Sequence, residues 1–563
     1  MSAPEAYSVK VWITYGRLRA LLAIIFDLSA VGRLQLGIIA GATNPSFPSC
    51  SMSLPWEYCA IVCILICAVG YAVAKQRAKA PLPPGPARLP ILGNALNVPL
   101  EFQWLKFTEW AGIYGEIFSL SVLGHPILVL NSANAIEELF EKRSALYADR
   151  PHIPLAGEMI GYSSIPVLER YGRRHREGRK LISNSLDHRN QTDIHRIQRN
   201  KVALMLSKLV NNPKDLQLHS RWFIAAVVFQ LTHGQKIESV DHVFVKLAEQ
   251  FNKDFSRVLR PGRFLVDNIT ILQYLPSWFP GMGFKRLAKE CREHFLRLCH
   301  EPYACVKDQV AKGTALPSLT ARLIEENRNP TPDEEWFYKT TVMQFYAGTL
   351  VFTVSVLDSF FLIMSLYPDI QKKAQAEMDR VVEPGRLPDF DDRANLPYLD
   401  AVLKEIYRWN PTAPMAVPHR VTQDDVYNGF HIPAGATVIA NTWAVLHDPS
   451  LYPDPFQVNP DRYSKQEGGM NPDPRRFAFG YGRRVCPGKV LADDSIFTVV
   501  ACVLATLDIS KAVGPDGQPI EPDVQYTGGT ISFPGPFQCT IKPRSAESAR
   551  LIQNAAMHVD HMD

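Results

Sequence analysis

The sequence has few cysteines, little net charge and no low-complexity tract, and each absence excludes a class of protein. Its ten cysteines are dispersed or lie in one apolar run, which excludes a disulfide framework and paired zinc-ribbon CxxC units. The formal net charge is only +4, with Lys and Arg scattered among acids, so we expect no nucleic-acid partner. Hydrophobic residues make up 46% of the chain, which is enough to bury a sizeable core.

An apolar run near the N-terminus is long enough to cross a bilayer. The stretch 59–74 contains no charged residue, Trp56 and Tyr58 precede it, and basic residues follow it. We predict a transmembrane anchor at 56–74, with the positive charge after it favouring a cytoplasmic catalytic domain. The alternatives are a buried core helix and a cleaved signal peptide, although no small-residue cleavage site follows the run.

Residues 1–51 precede this anchor and offer no second span. The apolar stretch at 20–26 is too short to cross a membrane, and charged residues interrupt its surroundings. Met52 begins a stretch that would form a complete anchor by itself. We therefore interpret residues 1–51 as an N-terminal extension, either an upstream addition or a poorly ordered arm.

Proline content and hydrophobic periodicity indicate how the chain after the predicted anchor is organised. The sequence PLPPGP at 81–86 forbids helix and predicts a stiff extended hinge, followed by a catalytic domain at 87–544 and a C-terminal tail at 545–563. A hairpin is expected from two short β patterns at 117–122 and 126–130. Helical patterns dominate from there to Arg408, and β patterns return at 426–440 and 526–541. The sequence thus predicts a mainly α fold with small β-sheets.

The most distinctive segment is FGYGRRVCPG at 479–488, which places Cys486 between a glycine-rich loop and the start of a helix. Loop N–H groups, the positive end of the helix and a bound iron all favour a thiolate there. The glycines let the backbone approach a flat cofactor. An isolated buried cysteine is usually a packing residue, but this setting is the one that a haem-thiolate ligand requires.

This segment resembles the FxxGxRxCxG haem-binding signature of the cytochrome P450 family at Phe479, Gly482, Arg484, Cys486 and Gly488. The resemblance implies the cytochrome P450 fold and haem b with Cys486 as the axial ligand of its iron. It also implies electrons from NADPH through NADPH–cytochrome P450 reductase, and a lipophilic small-molecule substrate. The expected location is the endoplasmic reticulum membrane, and the loops near 442–455 resemble those of fungal members.

Two further motifs resemble those of the family. Glu405 and Arg408 lie on one face of a predicted helix, a pair that is usually a surface salt bridge but here resembles the ExxR motif. Arg462, in the sequence PDRY, resembles the third member of that set. The resemblance implies that the three form a buried charge network which fixes the chain before Cys486.

Haem propionates need cationic donors, and the resemblance suggests Arg179, Arg420 and Arg484. Arg179 lies in a segment similar to the WxxxR helix of the family, with His175 in place of the tryptophan. His175 can still donate a hydrogen bond. The alternative is that this helix is basic simply because it faces solvent.

The long helix predicted at about 335–367 departs from the family, which places an acid and an alcohol beside bound oxygen. One ungapped alignment puts Val351 and Phe352 at these positions, and the other puts Leu350 and Val351 there. The pair that relays protons is therefore missing. Thr353 is our candidate catalytic residue in this helix, and Thr349, ordered water or a substrate hydroxyl are the alternatives.

We therefore expect a haem-thiolate monooxygenase that acts on a lipophilic molecule, a terpenoid or polyketide, in fungal secondary metabolism. Because the acid–alcohol pair is missing, two alternatives stay open. One is a haem-thiolate enzyme that does not activate O₂, such as an isomerase, a dehydratase or a peroxide user. The other is an inactive haem-binding paralogue.

Overall fold

The computed structural model describes residues 80–260, 262–464 and 471–562, so the predicted extension at 1–51 and anchor at 56–74 lie outside the described residues. The helices, in chain order, are α1 Gln103–Tyr114, α2 Ala133–Ile136, α3 Ser144–Tyr147, α4 Arg173–Ser185, α5 His188–Asn211, α6 Leu216–His233, α7 Val243–Val258, α8 Phe284–Lys312, α9 Leu319–Glu326, α10 Pro332–Leu366, α11 Pro368–Val381, α12 Pro397–Trp409, α13 Thr442–Leu446, α14 Arg475–Ala478, α15 Lys489–Thr506 and α16 Ala546–Met562. Short π or 3-10 turns lie at Glu137–Lys142, Pro154–Ile160, Tyr162–Ser164, Pro213–Asp215, Leu265–Asp267, Thr270–Tyr274, Phe390–Asn395, Pro460–Tyr463 and Gly482–Arg484.

The strands are β1 Ile117–Val122, β2 His125–Leu130, β3 His419–Arg420, β4 Asp425–Tyr427, β5 Phe430–Ile432, β6 Thr437–Ala440, β7 Leu507–Lys511 and β8 Cys539–Pro543. They form one four-stranded sheet, in the order β1-β2-β6-β3, and the two-stranded pairs β4-β5 and β7-β8. The prediction of a mainly α fold with small sheets is confirmed. So is the hairpin, whose turn residues Leu123 and Gly124 both have positive φ, as a two-residue hairpin turn of type I′ requires.

The proline-rich segment at 81–86 is extended and bonded to the sheets. The Ser119 N–H donates to the Pro84 carbonyl at 2.7 Å, and the His431 N–H donates to the Pro81 carbonyl at 2.8 Å. A Cβ atom at Gly85 would lie 2.0 Å from the Ser119 carbonyl oxygen, so only glycine allows this close approach. The segment therefore adds backbone hydrogen bonds to the edge of the folded unit.

Residues at both ends of helix α10 specify where it begins and ends. Thr331 and Glu334 form a reciprocal capping box, Pro332 occupies the first turn, and Pro368 starts the next helix. Within the described residues it is the one helix long and apolar enough to cross a membrane, but 89% of its most apolar window is buried in the protein. It is therefore the central helix of the core.

The C-terminal segment, predicted only as a tail at 545–563, contains a helix. Residues Ala546–Met562 form α16, which packs against α5. Its buried residues Ile552, Ala556 and Val559 recur at helical spacing and form one apolar face. The segment is helical because this face is buried by α5, a neighbour that the local sequence does not reveal.

Candidate functional site

Cys486 lies at the wall of a cavity of about 250 Å³, bounded by α10, by the loop before α15 and by the segments around β3. The loop is shaped by Gly480 and Gly482, which have φ values of +77° and +51°. A Cβ atom at Gly482 would lie 2.0 Å from the Phe140 carbonyl oxygen. The Cys486 N–H donates to the Phe479 carbonyl at 2.8 Å, which closes the loop and turns the thiol toward the cavity.

The pKa of the Cys486 thiol is raised by burial, and this increase is opposed by the Gly488 N–H and by the charges of Arg179 and Lys489. A thiolate at this position is therefore surrounded by groups that favour it, although enclosure disfavours the charge. A bound cation would favour the thiolate further. The site is suited to a metal ligand.

One wall of the cavity carries two guanidinium groups, of which that of Arg484 is buried and that of Arg179 is half-buried. Arg484 donates to the carbonyls of Ala148 at 2.6 Å, Glu169 at 2.7 Å and Pro166 at 3.2 Å. Arg179 donates to the carbonyl of Val485 at 2.6 Å, directly beside Cys486. Because burial removes water, the pKa of Arg484 is lowered to about 10, but its guanidinium still carries its charge at neutral pH.

His175 has one free ring nitrogen. Burial, together with the charge of Arg484, lowers its pKa to about 4, so the ring is neutral at pH 7. Its Nδ1 lies 3.0 Å from Arg484 Nη1, which can only donate, and 3.0 Å from the Pro166 carbonyl oxygen, which can only accept, so each tautomer makes one of these two hydrogen bonds. Nε2 is buried, has no hydrogen-bond partner among the described residues, and belongs to a side chain that lines the cavity. This nitrogen is therefore open to hydrogen bonding with a group bound in the cavity.

Arg420, predicted to bind the cofactor, does not line the cavity. Arg420 is absent from the lining, and its Nη1 lies 3.3 Å from Asp149 Oδ2, whereas its neighbour His419 lines the cavity. Successive side chains of a strand point to opposite faces, so a shift of one residue decides whether His419 or Arg420 faces the cavity. Arg150, which donates to the Val417 and Pro418 carbonyls, also lines the cavity, and no local sequence pattern identified it.

Glu405, Arg408 and Arg462 are brought together and are almost completely buried. Arg408 donates to both carboxylate oxygens of Glu405 at 2.8 Å, and Arg462 Nε donates to Oε1 at 3.1 Å. The Asn459 N–H and the Tyr463 hydroxyl donate to the same carboxylate. The two guanidinium groups also bond carbonyls of Leu446, Pro453, Asp454, Pro455 and Gln457.

Helix α10 presents Thr349, Phe352 and Thr353 to the cavity, while Leu350 and Val351 are buried and do not line it. The Thr349 hydroxyl donates to the Phe345 carbonyl at 2.7 Å. The Thr353 hydroxyl is buried and has no hydrogen-bond partner among the described residues. Phe352 is 37% exposed, so a large apolar ring occupies the face that a proton-relaying side chain would use.

The residues of the cavity fit a large, flat, anionic cofactor that carries a metal. Cys486 provides a sulfur ligand, while His175, Arg179 and Arg484 provide donors for carboxylates. Of the other predicted residues, Phe479 and Gly488 line the cavity and Gly482 supports the loop from outside it. The remaining walls are largely apolar, with Phe251, Phe255 and Ile531 among them.

Comparisons with known proteins agree with this geometry. A family model described as cytochrome P450 matches residues 83–532. Cytochrome P450 monooxygenase 208 of Postia placenta is 40% identical over 500 residues, covering 88% of this chain and 96% of that protein. Cytochrome P450 monooxygenase claR of Ampulloclitocybe clavipes is 41% identical over 485 residues, covering 86% of this chain and 90% of that protein.

Proposed function

Because this chain belongs to the cytochrome P450 family and is an oxidoreductase of its monooxygenase class, we propose that it inserts one oxygen atom of O₂ into a lipophilic small molecule. The observation that most supports this is Cys486, whose thiol opens into a largely apolar cavity that the side chains of Arg150, His175, Arg179 and Arg484 also line. The substrate that we propose is a terpenoid or a polyketide of fungal secondary metabolism.

The chain would hold haem b between the Cys486 loop and helix α10. In this proposal Cys486 would provide the sulfur ligand of the haem iron, and the side chains of His175, Arg179 and Arg484 would hold the propionates. Haem supplies the redox chemistry that activates O₂ when it is bound and reduced. The protein positions the thiolate, neutralises the carboxylates and excludes water from the reacting face.

The substrate side of the cavity supports a lipophilic molecule. The side chains of Phe251, Phe255, Phe345, Phe352 and Val356 line it. Burial of apolar surface against such walls supplies about 25 cal/mol per Å² before the costs of ordering the ligand. We propose that this apolar contact provides most of the affinity, and that Thr353, whose buried hydroxyl has no hydrogen-bond partner among the described residues, provides a proton donor at the cavity.

Electrons would come from NADPH through NADPH–cytochrome P450 reductase. Reconstitution of the full chain with the reductase, NADPH and isotope-labelled O₂ tests the proposed function, because the label must appear in the product. Turnover that continues without NADPH would instead support an isomerase, a dehydratase or a peroxide user. Tight ligand binding without any turnover would support the inactive paralogue. These alternatives are tested because Phe352 occupies the position where a hydroxyl side chain is expected.

The substitution Phe352→Thr is expected to raise the amount of product formed per NADPH consumed. Phenylalanine can neither donate nor relay a proton, so we expect wild-type protein to lose electrons to hydrogen peroxide. The gain should be severalfold, within the roughly 10²-fold that a positioned proton donor can contribute. Product, peroxide and NADPH are measured in one reaction. The control is Phe352→Val, which removes the ring without adding a hydroxyl; equal coupling in the two variants would contradict the prediction.

We also propose that the chain is anchored in the endoplasmic reticulum membrane by residues 56–74, with the catalytic domain in the cytoplasm. The basic residues Lys75, Arg77 and Lys79 after the span support this orientation. The exposed Tyr274 and Trp278, each 79% accessible, support a second membrane contact in the loop before α8.

Residues 53–79 are expected to suffice for targeting a reporter protein to the endoplasmic reticulum with the reporter on the cytoplasmic side. The apolar span supplies the insertion energy, and the following positive charges set the orientation. Protease protection of isolated membranes measures the orientation. A reporter fused to residues 1–51 alone is the control and should remain unanchored. A soluble 53–79 fusion, or one shielded in the lumen, would contradict the anchor.

A further inference from the structure

A second group of charges lies at the base of the Cys486 loop, separate from the Glu405 network. Its members, Arg393, Asp400, Arg475 and Asp493, are here called the loop-base cluster. Arg475, in α14 before the loop, donates to Asp400 from Nη1 at 2.9 Å and from Nη2 at 3.2 Å. It also donates to Asp473 at 2.7 Å. Its side chain is only 15% exposed.

Asp493, in α15 after the loop, faces the same cluster. Its Oδ2 accepts from Arg393 and lies 3.5 Å from Arg475 Nη1. Its Oδ1 accepts from the Tyr407 hydroxyl at 3.1 Å. Its side chain is 16% exposed, so these bonds are largely shielded from solvent.

The two ends of the loop are therefore joined to each other and to α12. Residues 476–492, which include Cys486, run between Arg475 and Asp493. Tyr407 extends the connection into the cavity wall, because its ring packs against Phe479 with centroids 5.3 Å apart. The Phe479 carbonyl in turn accepts from the Cys486 N–H at 2.8 Å.

The network of Glu405, Arg408 and Arg462 cannot by itself join the two ends of the Cys486 loop. Its arginines bond the chain at 446–457, and Arg462 precedes Cys486 by more residues than Arg475 does. Among the described residues, no side-chain hydrogen bond or ion pair joins Glu405, Arg408 or Arg462 to residues 475–493. The loop-base cluster, in contrast, joins Arg475 before the loop to Asp493 after it.

We propose that Arg475 and Asp493 are positioning residues which clamp the two ends of the Cys486 loop and so hold its thiolate in place as the haem ligand. This inference rests on the proposed function, in which Cys486 ligates haem. Closing the ends of a loop reduces the conformations open to the residues between them. When the clamp is broken, Cys486 should leave the iron more often while the rest of the fold persists.

The substitution Asp493→Asn, in the full haem-loaded chain, tests the clamp. Asparagine keeps an acceptor for the Tyr407 hydroxyl but removes the charge that Arg393 and Arg475 share. The readout is the reduced carbon monoxide complex, whose red-shifted Soret band moves to shorter wavelength when the thiolate is lost. We expect this conversion, under mild heating, to be about tenfold faster than in wild type, because one charge-assisted hydrogen-bond set is removed.

The matched control is Asp392→Asn. Asp392 is similarly buried, at 12% exposed, and accepts from Arg386 at 2.7 Å, but its partners lie outside residues 475–493. Circular dichroism of both variants measures loss of helix separately from loss of the thiolate. Asp493→Glu, which keeps the carboxylate, should convert more slowly than Asp493→Asn.

A faster conversion in Asp493→Asn than in Asp392→Asn, at equal loss of helix, supports the clamp. Equal conversion rates in the two variants would overturn it. If Asp493→Asn yields no folded protein, Arg475→Lys is compared with Asp392→Asn by the same criterion, since one ammonium group cannot bridge the three carboxylates. If wild-type protein itself lacks the red-shifted band, the haem-thiolate assignment fails, and the clamp fails with it.

Discussion

Replacing Cys486 with alanine is expected to abolish the red-shifted Soret band of the reduced carbon monoxide complex and all turnover. Alanine has no lone pair to give to iron, and the other predicted cofactor-binding residues are nitrogen donors for carboxylates, glycines and a phenylalanine. The loss should be complete, not a change of rate, because the thiolate is part of the reacting centre. The spectrum of purified protein checks it.

The fold should survive this change. The Cys486 side chain opens into the cavity and does not fill the packed core, so its removal leaves no new void in the core. Cys502→Ala is the control, because Cys502 lies buried in the helix that follows and contacts the Pro388 carbonyl instead of the cavity. That variant should keep the band. An unchanged spectrum in Cys486→Ala would mean that another residue is the ligand.

The substitution Glu405→Gln is expected to prevent the accumulation of haem-loaded protein or to lower its thermal midpoint by many degrees. Glutamine preserves the shape of the side chain but leaves Arg408 and Arg462 buried without a counter-charge. Removing one member of a buried ion pair costs about 3–5 kcal/mol, which is a large share of the stability of a typical domain. Thermal unfolding followed by circular dichroism and by haem absorbance measures the effect.

Glu138→Gln provides the comparison at the surface. Glu138 also serves two cations, Arg143 and Lys142, but the side chains of this group are 30% to 63% exposed. Such pairs contribute about 0–1 kcal/mol, so this variant should unfold close to wild type. A Glu405→Gln protein that unfolds no earlier than Glu138→Gln would show that the buried network is not needed for the fold.

Local sequence determined the features that depend on neighbouring residues. The β1–β2 hairpin follows from two short β patterns around a turn, and helix α10 follows from its cap and from the proline that starts the next helix. The segment around Cys486 is equally local, since its glycines and its helix start lie within ten residues of the sulfur. These features were predictable because their causes are short-range hydrogen bonding and backbone geometry.

Only the tertiary structure decided which distant side chains meet. His419, not Arg420, faces the cavity because strand register fixes the alternation of side chains, and Phe352, not Val351, faces it because α10 is rotated by its packing. His175 meets Arg484, 309 residues away in the chain, at the wall of the cavity. The clamp of Arg475 and Asp493 depends on α12, and the helical form of the C-terminal tail depends on α5. In each case the cause is burial against a partner that the local sequence does not specify. A shift of one residue in such a contact would bring a different side chain to the site.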